Sequence, residues 1–461
     1  MFRTFLLLLA SVAVAAMAST AAAQDNVLLI IGDDLGVDRI RSYAEAIPNA
    51  VPAPTIGIDY VGDHGVRFTR AYAQQVCAPT RAAILTGRQG FRTGIGTGIP
   101  WAGCEQSNNG CFQWDKDSVT TLAQALGETH ATAAFGKWHL STMDDGAGWQ
   151  HPIDVGFDFF SGAPQNLPAA GSLGFYEWLR NQADANGSTQ QFQTEYATSV
   201  NVDDTLEWIK AQQGNPWFAW VAFNAAHTPL HDPPPELTTI GQGGNGQAMH
   251  RAMVQAMDRE IIRLVTSMRV ATRQRTWVIF VGDNGNPPST LPLGGSQWPP
   301  TGKTKPNPWE GNVRVPLVVL GPTVDEPGRE IADPVHVLDL YATICDLAGV
   351  PVPATAVDSI SFAPRIRHAA APPRRDVAFG ERFRPNGFGP YNRLQWYITD
   401  GRWKVGKYSL NGSQSLDPAG LNFYDLDADL EEATDLLNGP LDAEQQAAFD
   451  FLMKRRAEIT Q

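Results

Sequence analysis

Four short apolar runs along the chain end abruptly in polar residues. Val27 to Ile31 runs into Gly32-Asp33-Asp34, and Ala131 to Phe135 into Gly136-Lys137-Trp138-His139. Trp217 to Phe223 runs into Asn224-Ala225-Ala226-His227, and Trp277 to Val281 into Gly282-Asp283-Asn284-Gly285. Each run has the length and composition of a buried strand. Stretches of helical period lie between them, at 118–126, 195–210 and 249–268. This alternation predicts an α/β fold, a large, mostly parallel sheet sandwiched by helices. Ligands of such sheets sit beyond the carboxyl ends of the strands. One run with a polar end is an ordinary buried strand; four with the same pattern predict convergence on one site.

The pattern changes after a Pro/Arg-rich break at 370–375. It predicts a large α/β domain over 24–370 and a small C-terminal α+β subdomain over 371–461. Alternation in 394–399 and 403–405 around Asp400-Gly401 reads as an antiparallel hairpin, and 443–459 as a final helix. The Pro/Gly-rich segment 286–308 is too long for an idle connection and is expected to be a functional loop. At the N-terminus, Arg3, the apolar run from Phe5 to Ala18 and Ala21-Ala22-Ala23 read as a signal peptide over 1–23. The run is short for a spanning helix. The expectation is an exported protein, periplasmic or secreted, with no stable membrane insertion.

A formal net charge of −13 makes nucleic acid a poor partner, while 43% hydrophobic residues support a sizeable core. Of the four cysteines, Cys104 and Cys111 share a polar loop and are expected to pair in an oxidising compartment. Cys345 lies in an apolar helical run and reads as a buried thiol. Cys77 is left unpaired, which is odd in an exported protein.

Cys77 opens the stretch Cys77-Ala78-Pro79-Thr80-Arg81, followed by Thr86-Gly87. Pro79 suits the first turn of a helix and Gly87 its stop. Cys77 is thus predicted at a helix N-terminus, where free N–H groups favour an anion and Arg81 adds a fixed cation. From the residues alone a structural cysteine or a thiol nucleophile stays open, as does an anion-binding protein without catalysis. The stretch resembles the sulfatase signature, C-x-P-x-R followed by T-G. The resemblance implies that a separate maturation enzyme oxidises Cys77 to formylglycine. Thr80 stands where many members carry serine.

Asp33-Asp34 and Asp283-Asn284 offer only oxygen ligands, which suit a hard cation such as Ca²⁺ or Mg²⁺ rather than zinc. The resemblance implies one Ca²⁺ at these four positions, with Mg²⁺ as the alternative. Lys137 and His139 stand two apart and point the same way if extended. His227 sits in Ala226-His227-Thr228-Pro229, a string sulfatases share. Lys305 precedes Glu310-Gly311 by the spacing of the family's active-site lysine, with Lys303 as the alternative. Asn312 departs from the usual second glycine.

The resemblance runs from Val27 to the string Phe423 to Asp429. It implies an alkaline phosphatase-like fold and arylsulfatase-like hydrolysis of an aryl, alkyl or carbohydrate sulfate. It also implies roles. Arg81, Lys137 and Lys305 balance charge on the sulfuryl oxygens. Asp283 activates the nucleophile, His227 protonates the departing alcohol, and His139 takes the last proton. A phosphonate or phosphate ester hydrolase of the same superfamily is the alternative. Trp101 and Trp114 either stack on substrate or merely pin their loop.

Overall fold

In chain order the strands of the computed structural model are β1 (Asn26–Gly32), β2 (Val66–Phe68), β3 (Ala71–Tyr72), β4 (Ala131–Lys137), β5 (Phe159–Ala163), β6 (Trp178–Asp184), β7 (Gly187–Gln193) and β8 (Trp217–Ala222). They continue as β9 (Thr276–Gly282), β10 (Leu317–Leu320), β11 (Arg329–Ile331), β12 (Val335–His336), β13 (Ala378–Arg384), β14 (Arg393–Thr399), β15 (Trp403–Lys407) and β16 (Leu421–Asp425). The structure describes residues 24–110, 119–145, 148–168, 173–291, 298–408 and 420–461. The segment read as a signal peptide, Cys111 and Trp114 fall outside these residues.

The four apolar runs become neighbours in a ten-stranded sheet of order β11-β2-β10-β9-β1-β8-β4-β5-β6-β7. The five strands β9-β1-β8-β4-β5 are mutually parallel. Strand β1 shows why its sequence is continuously apolar. Val27, Leu29 and Ile31 join a core with the helices Cys77–Thr86, Leu122–Gly127 and Asp339–Ala348. Leu28 and Ile30 face the opposite core, under the helices Ala197–Ala211 and Gly246–Ser267. Each such side chain contributes about 1.5–3 kcal/mol on leaving water, so both faces hold the strand in place.

Antiparallel strands extend this parallel centre. β10 pairs antiparallel with β9 and β2, and the hairpin β6–β7 continues the other edge from β5. The sequence of β7, Gly187 to Gln193, is polar and largely exposed, so no apolar alternation announces it. Cys345 is a buried free thiol in its helix, as expected, and Cys104 is disulfide-bonded.

Strands β13–β16 form a separate antiparallel sheet under the helix Ala443–Ile459, around Phe379, Trp396, Phe423 and Leu452. This sheet abuts the segment leading into Cys77. Tyr397 donates its hydroxyl hydrogen to the Ala73 carbonyl at 2.7 Å, and the Glu381 N–H donates to Gln74 Oε1 at 2.7 Å.

Candidate active site

Register brings the polar strand ends together. Gly32 of β1 pairs with Gly282 of β9, so Asp33 and Asp283 leave the sheet side by side. The Asp34 N–H donates to Asp283 Oδ1 at 3.1 Å, and Asn284 Nδ2 donates to Asp34 Oδ1 at 2.7 Å. Asp34 holds a left-handed backbone, φ 55°, which lets successive carboxylates turn toward one point. All four residues are buried.

The helix Cys77–Thr86 begins as expected, with extended Val76 before it and Gly87 at φ 65° after it. A Cβ on Gly87 would lie 2.7 Å from the Ala356 side chain, so space and backbone angle both call for glycine. Arg81, one turn along, reaches Asp283 Oδ2 with Nη2 at 2.9 Å and with Nε at 3.2 Å. Its Nη1 donates to the Lys137 carbonyl at 2.7 Å. Thr80 donates to the Asp283 carbonyl at 2.7 Å, a bond that serine could also make. No local sequence signal marks that bond.

Lys137, the last residue of β4, pairs with Asp33. His139 lies 3.2 Å from Cys77, Nδ1 to Sγ. These two side chains share the site, but not for the predicted reason. The chain is not extended through His139, whose φ is 63°; that turn aims the ring at Cys77. The structure also separates the two candidate lysines. Lys305 pairs with Asp34. Lys303 instead donates to the Glu431 and Glu432 carbonyls, each at 2.6 Å, and covers the Trp309 ring. His227 Nε2 lies 3.8 Å from Asp34 Oδ2. The side chains of His227 and Lys305 are 17% and 15% exposed, against 0% for Arg81 and Lys137. The site therefore opens on the His227 and Lys305 side.

Trp101 packs edge-on against Trp149, centroids 4.8 Å apart, and its carbonyl accepts from Thr142. That placement pins its loop. Asn312 ties three segments together. It donates through Nδ2 to the Gln75 and Asn307 carbonyls and accepts at Oδ1 from the Gly285 N–H.

Charge in the site is arranged in opposed pairs. Burial pushes Asp33 and Asp34 up, yet Lys137 and His227 around the first, and Lys305 and His227 around the second, hold both carboxyls below the ordinary range. Burial and the Asp33 charge push Asp283 up to about 7 despite Arg81. Burial, with Lys137 and Arg81 close by, holds His139 far below the usual imidazole value, so it is neutral. Burial raises the Cys77 thiol, which makes an ordinary thiolate nucleophile hard to form.

The donor set fits a hard cation. Asp33 Oδ1 and Asn284 Oδ1 are buried without a hydrogen-bond partner. One ligand atom each of Asp33, Cys77 and Asp283 lie within 4.8 Å of one another. Unpaired buried oxygens cost free energy unless something binds them. Unpaired oxygens of this kind are what a divalent ion with oxygen preference binds.

The chain matches the sulfatase family over residues 25–350. It is 30% identical over 353 residues to an arylsulfatase of Hemicentrotus pulcherrimus, covering 71% of this chain and 59% of that protein. It is 27% identical over 356 residues to an N-acetylgalactosamine-6-sulfatase of Canis lupus familiaris, covering 74% of this chain and 65% of that one. The chain thus spans about three fifths of the length of these two relatives. The PsFucS1 sulfatase from Pseudoalteromonas sp. superposes with a TM-score of 0.71 at 20% identity, over 95% of this chain and 90% of that one. Ps i-CgsB, solved in complex with k-i-k-neocarrahexaose, superposes with a TM-score of 0.73 at 23% identity, over 94% and 92%. With the family match covering most of its length and the fold shared, the chain belongs to the sulfatase family.

Proposed function

We propose that this protein hydrolyses a sulfate monoester to an alcohol and inorganic sulfate. The observation that carries the reading is the placement of Cys77. It sits at a helix mouth, 3.2 Å from His139 and within 4.8 Å of Asp33 and Asp283 oxygens. The sulfur marks where the oxygen of a formylglycine would stand. Converted by a maturation enzyme, residue 77 supplies a hydrated aldehyde whose first hydroxyl attacks sulfur and whose second spares a second attack there. Asp33, Asp34, Asp283 and Asn284 would hold Ca²⁺, which supplies charge stabilisation of the attacking oxygen and the sulfuryl group.

The remaining work falls to the chain's own side chains. Asp283, the carboxylate fixed by Arg81, takes the proton of the attacking hydroxyl. Arg81, Lys137 and Lys305 face the sulfuryl oxygens with fixed positive charge that needs no rearrangement as the transition state forms. His227 stands on the open side, where the alcohol departs; its Nδ1 faces the Thr228 carbonyl at 2.7 Å, so in the doubly protonated form it gives the alcohol the proton on Nε2. His139 is neutral and beside residue 77, placed to take the last hydroxyl proton when sulfate leaves. Among the described residues no helix is long and apolar enough to cross a membrane. The substrate class includes aryl and carbohydrate sulfates, on the names of the relatives.

Intact-peptide mass at residue 77 separates thiol from aldehyde, and paired rates on sulfate and phosphate esters of one alcohol separate the two chemistries. The expected outcome is aldehyde and a sulfate preference. Cys77→Ala should cost at least about 10⁴-fold in kcat. A thiol in active enzyme, or faster phosphate release, sinks the reading.

A further inference from the structure

The two faces of the C-terminal sheet differ. One, with Phe379, Phe383, Leu394 and Trp396, forms that subdomain's apolar core. The other carries Arg382 and Arg384 on β13, opposite Gln395 and Arg393 on β14. This second face meets the catalytic domain. Arg382 donates to the Pro306 carbonyl at 3.5 Å, one residue from Lys305, and Gln395 Nε2 donates to Asn307 Oδ1 at 3.1 Å. Just past Arg384, Asn386 Oδ1 accepts from the Gly96 and Thr97 N–H groups at 2.9 and 3.0 Å. A Cβ on the next residue, Gly98, would lie 3.8 Å from His139 Nε2. The arginine-bearing end of the sheet therefore stands between two segments of the active site, one carrying Lys305 and one flanking His139.

Among the described residues these arginines have no counter-charge. Arg384 and Arg393 are paired directly across the strands. Like charges in that position repel. Arg382 is 8% exposed and its Nε has no partner; Arg384 Nε is likewise buried and unpartnered. Among the described residues no carboxylate bonds to any of the three. Burial, then Arg384 and Arg393, push Arg382 down to about 10, with no acid opposing. The chain has 48 acidic residues against 35 basic ones, so acids are not scarce. A buried guanidinium without an acid costs free energy that an incoming anion offsets.

We propose that Arg382, Arg384 and Arg393 form a second anion subsite, and that the substrate is a saccharide carrying a further acidic group besides the sulfate that is cleaved. The proposal rests on the sulfatase reading above. The further group is a planar carboxylate or a second sulfate; guanidinium forks bind either with paired hydrogen bonds.

The test compares kcat/KM on an aryl monosulfate and on disaccharides bearing one sulfate, two sulfates, or one sulfate and one uronate carboxylate. Wild-type enzyme is expected to favour a dianionic sugar over the monosulfated one by about tenfold or more, a gap that narrows as salt rises. The two dianionic sugars tell sulfate from carboxylate. In Arg384→Gln and Arg393→Gln, KM for the preferred sugar should rise about tenfold each, and the loss there should exceed the loss on the aryl sulfate by a similar factor. Arg393 is exposed, so its variant keeps the test independent of folding, and Arg393→Lys should recover part of the loss. Equal losses on all substrates, or no preference for dianions in the wild type, overturns the subsite while leaving sulfatase activity standing. No sulfate release from any substrate by protein with matured residue 77 overturns the reading beneath it.

Discussion

Two buried clusters of charge lie close together in this molecule and differ in one respect. In the active site, Asp33, Asp34 and Asp283 face Lys137, Lys305 and Arg81, and two oxygens remain without partners. At the junction with the C-terminal sheet, Lys404 lies 3.1 Å from Glu310 and 3.0 Å from Glu432. There every carboxylate oxygen is bonded. Tyr72 donates to Glu310 at 3.2 Å, Tyr408 donates to Glu432 at 2.6 Å, and the Glu310 N–H donates to Glu432 at 2.5 Å. Both clusters carry desolvation costs, but only the junction repays them internally. Burial and opposite charge are common to the two clusters; unmet carboxylate and amide oxygens are what distinguishes the first from the second.

The largest expected effect breaks the saturated cluster. Lys404→Met leaves Glu310 and Glu432 facing one another without a cation, and should cost about 3–5 kcal/mol of stability in denaturant unfolding. Added calcium, which stabilises the wild type as well, should not narrow that gap. Lys137→Met makes the matching change in the active site. On the role proposed for Lys137, a fixed charge facing the sulfuryl group, it should lower kcat by about 10²–10³-fold. Its stability loss should be recovered by calcium, because the freed Asp33 becomes a better cation ligand. If calcium narrows the gap between Lys404→Met and the wild type as it does for Lys137→Met, the distinction between the clusters fails.

Calcium itself sharpens the contrast. At a hundredfold excess over its dissociation constant it should stabilise the wild type by about 2.7 kcal/mol. Chelation should remove that gain together with activity. Asn284→Ala should blunt the gain, whereas Lys404→Met should keep it, as read by the shift of the unfolding midpoint with added ion.

The clusters were unequally legible in sequence. Asp33, Asp34, Asp283 and Asn284 follow apolar strands directly, so strand pattern and chemistry are written side by side. Cys77 and Arg81 share one helix turn, and the helix limits are marked by Pro79 and Gly87. Glu310, Lys404 and Glu432 come from three distant segments, and no local pattern links them. The arginines of β13 and β14 alternate as any polar strand face does, and only the pairing of Arg384 with Arg393 shows that they meet. His139 lay between these cases. Its presence in the site was readable, but its orientation depends on a left-handed backbone that its sequence does not mark.

Asn312 gives the smallest and most discriminating test, because it is saturated yet touches the active site. Its amide spans the Cys77 approach at Gln75, the Lys305 loop at Asn307 and the segment following β9 at Gly285. By the rule drawn from the two clusters it is scaffold, although it replaces the glycine usual in the family motif. Asn312→Gly keeps the backbone bond from the Gly285 N–H to the residue 312 carbonyl, 2.6 Å, and loses only the side-chain bonds. The expected cost is about 1 kcal/mol of stability, with kcat reduced no more than a few fold. Denaturant midpoints and turnover of one sulfate ester, measured on the same preparation, decide the matter. A large fall in kcat at unchanged stability would place a fully bonded side chain in the chemistry, and hydrogen-bond saturation would no longer tell the two kinds of cluster apart.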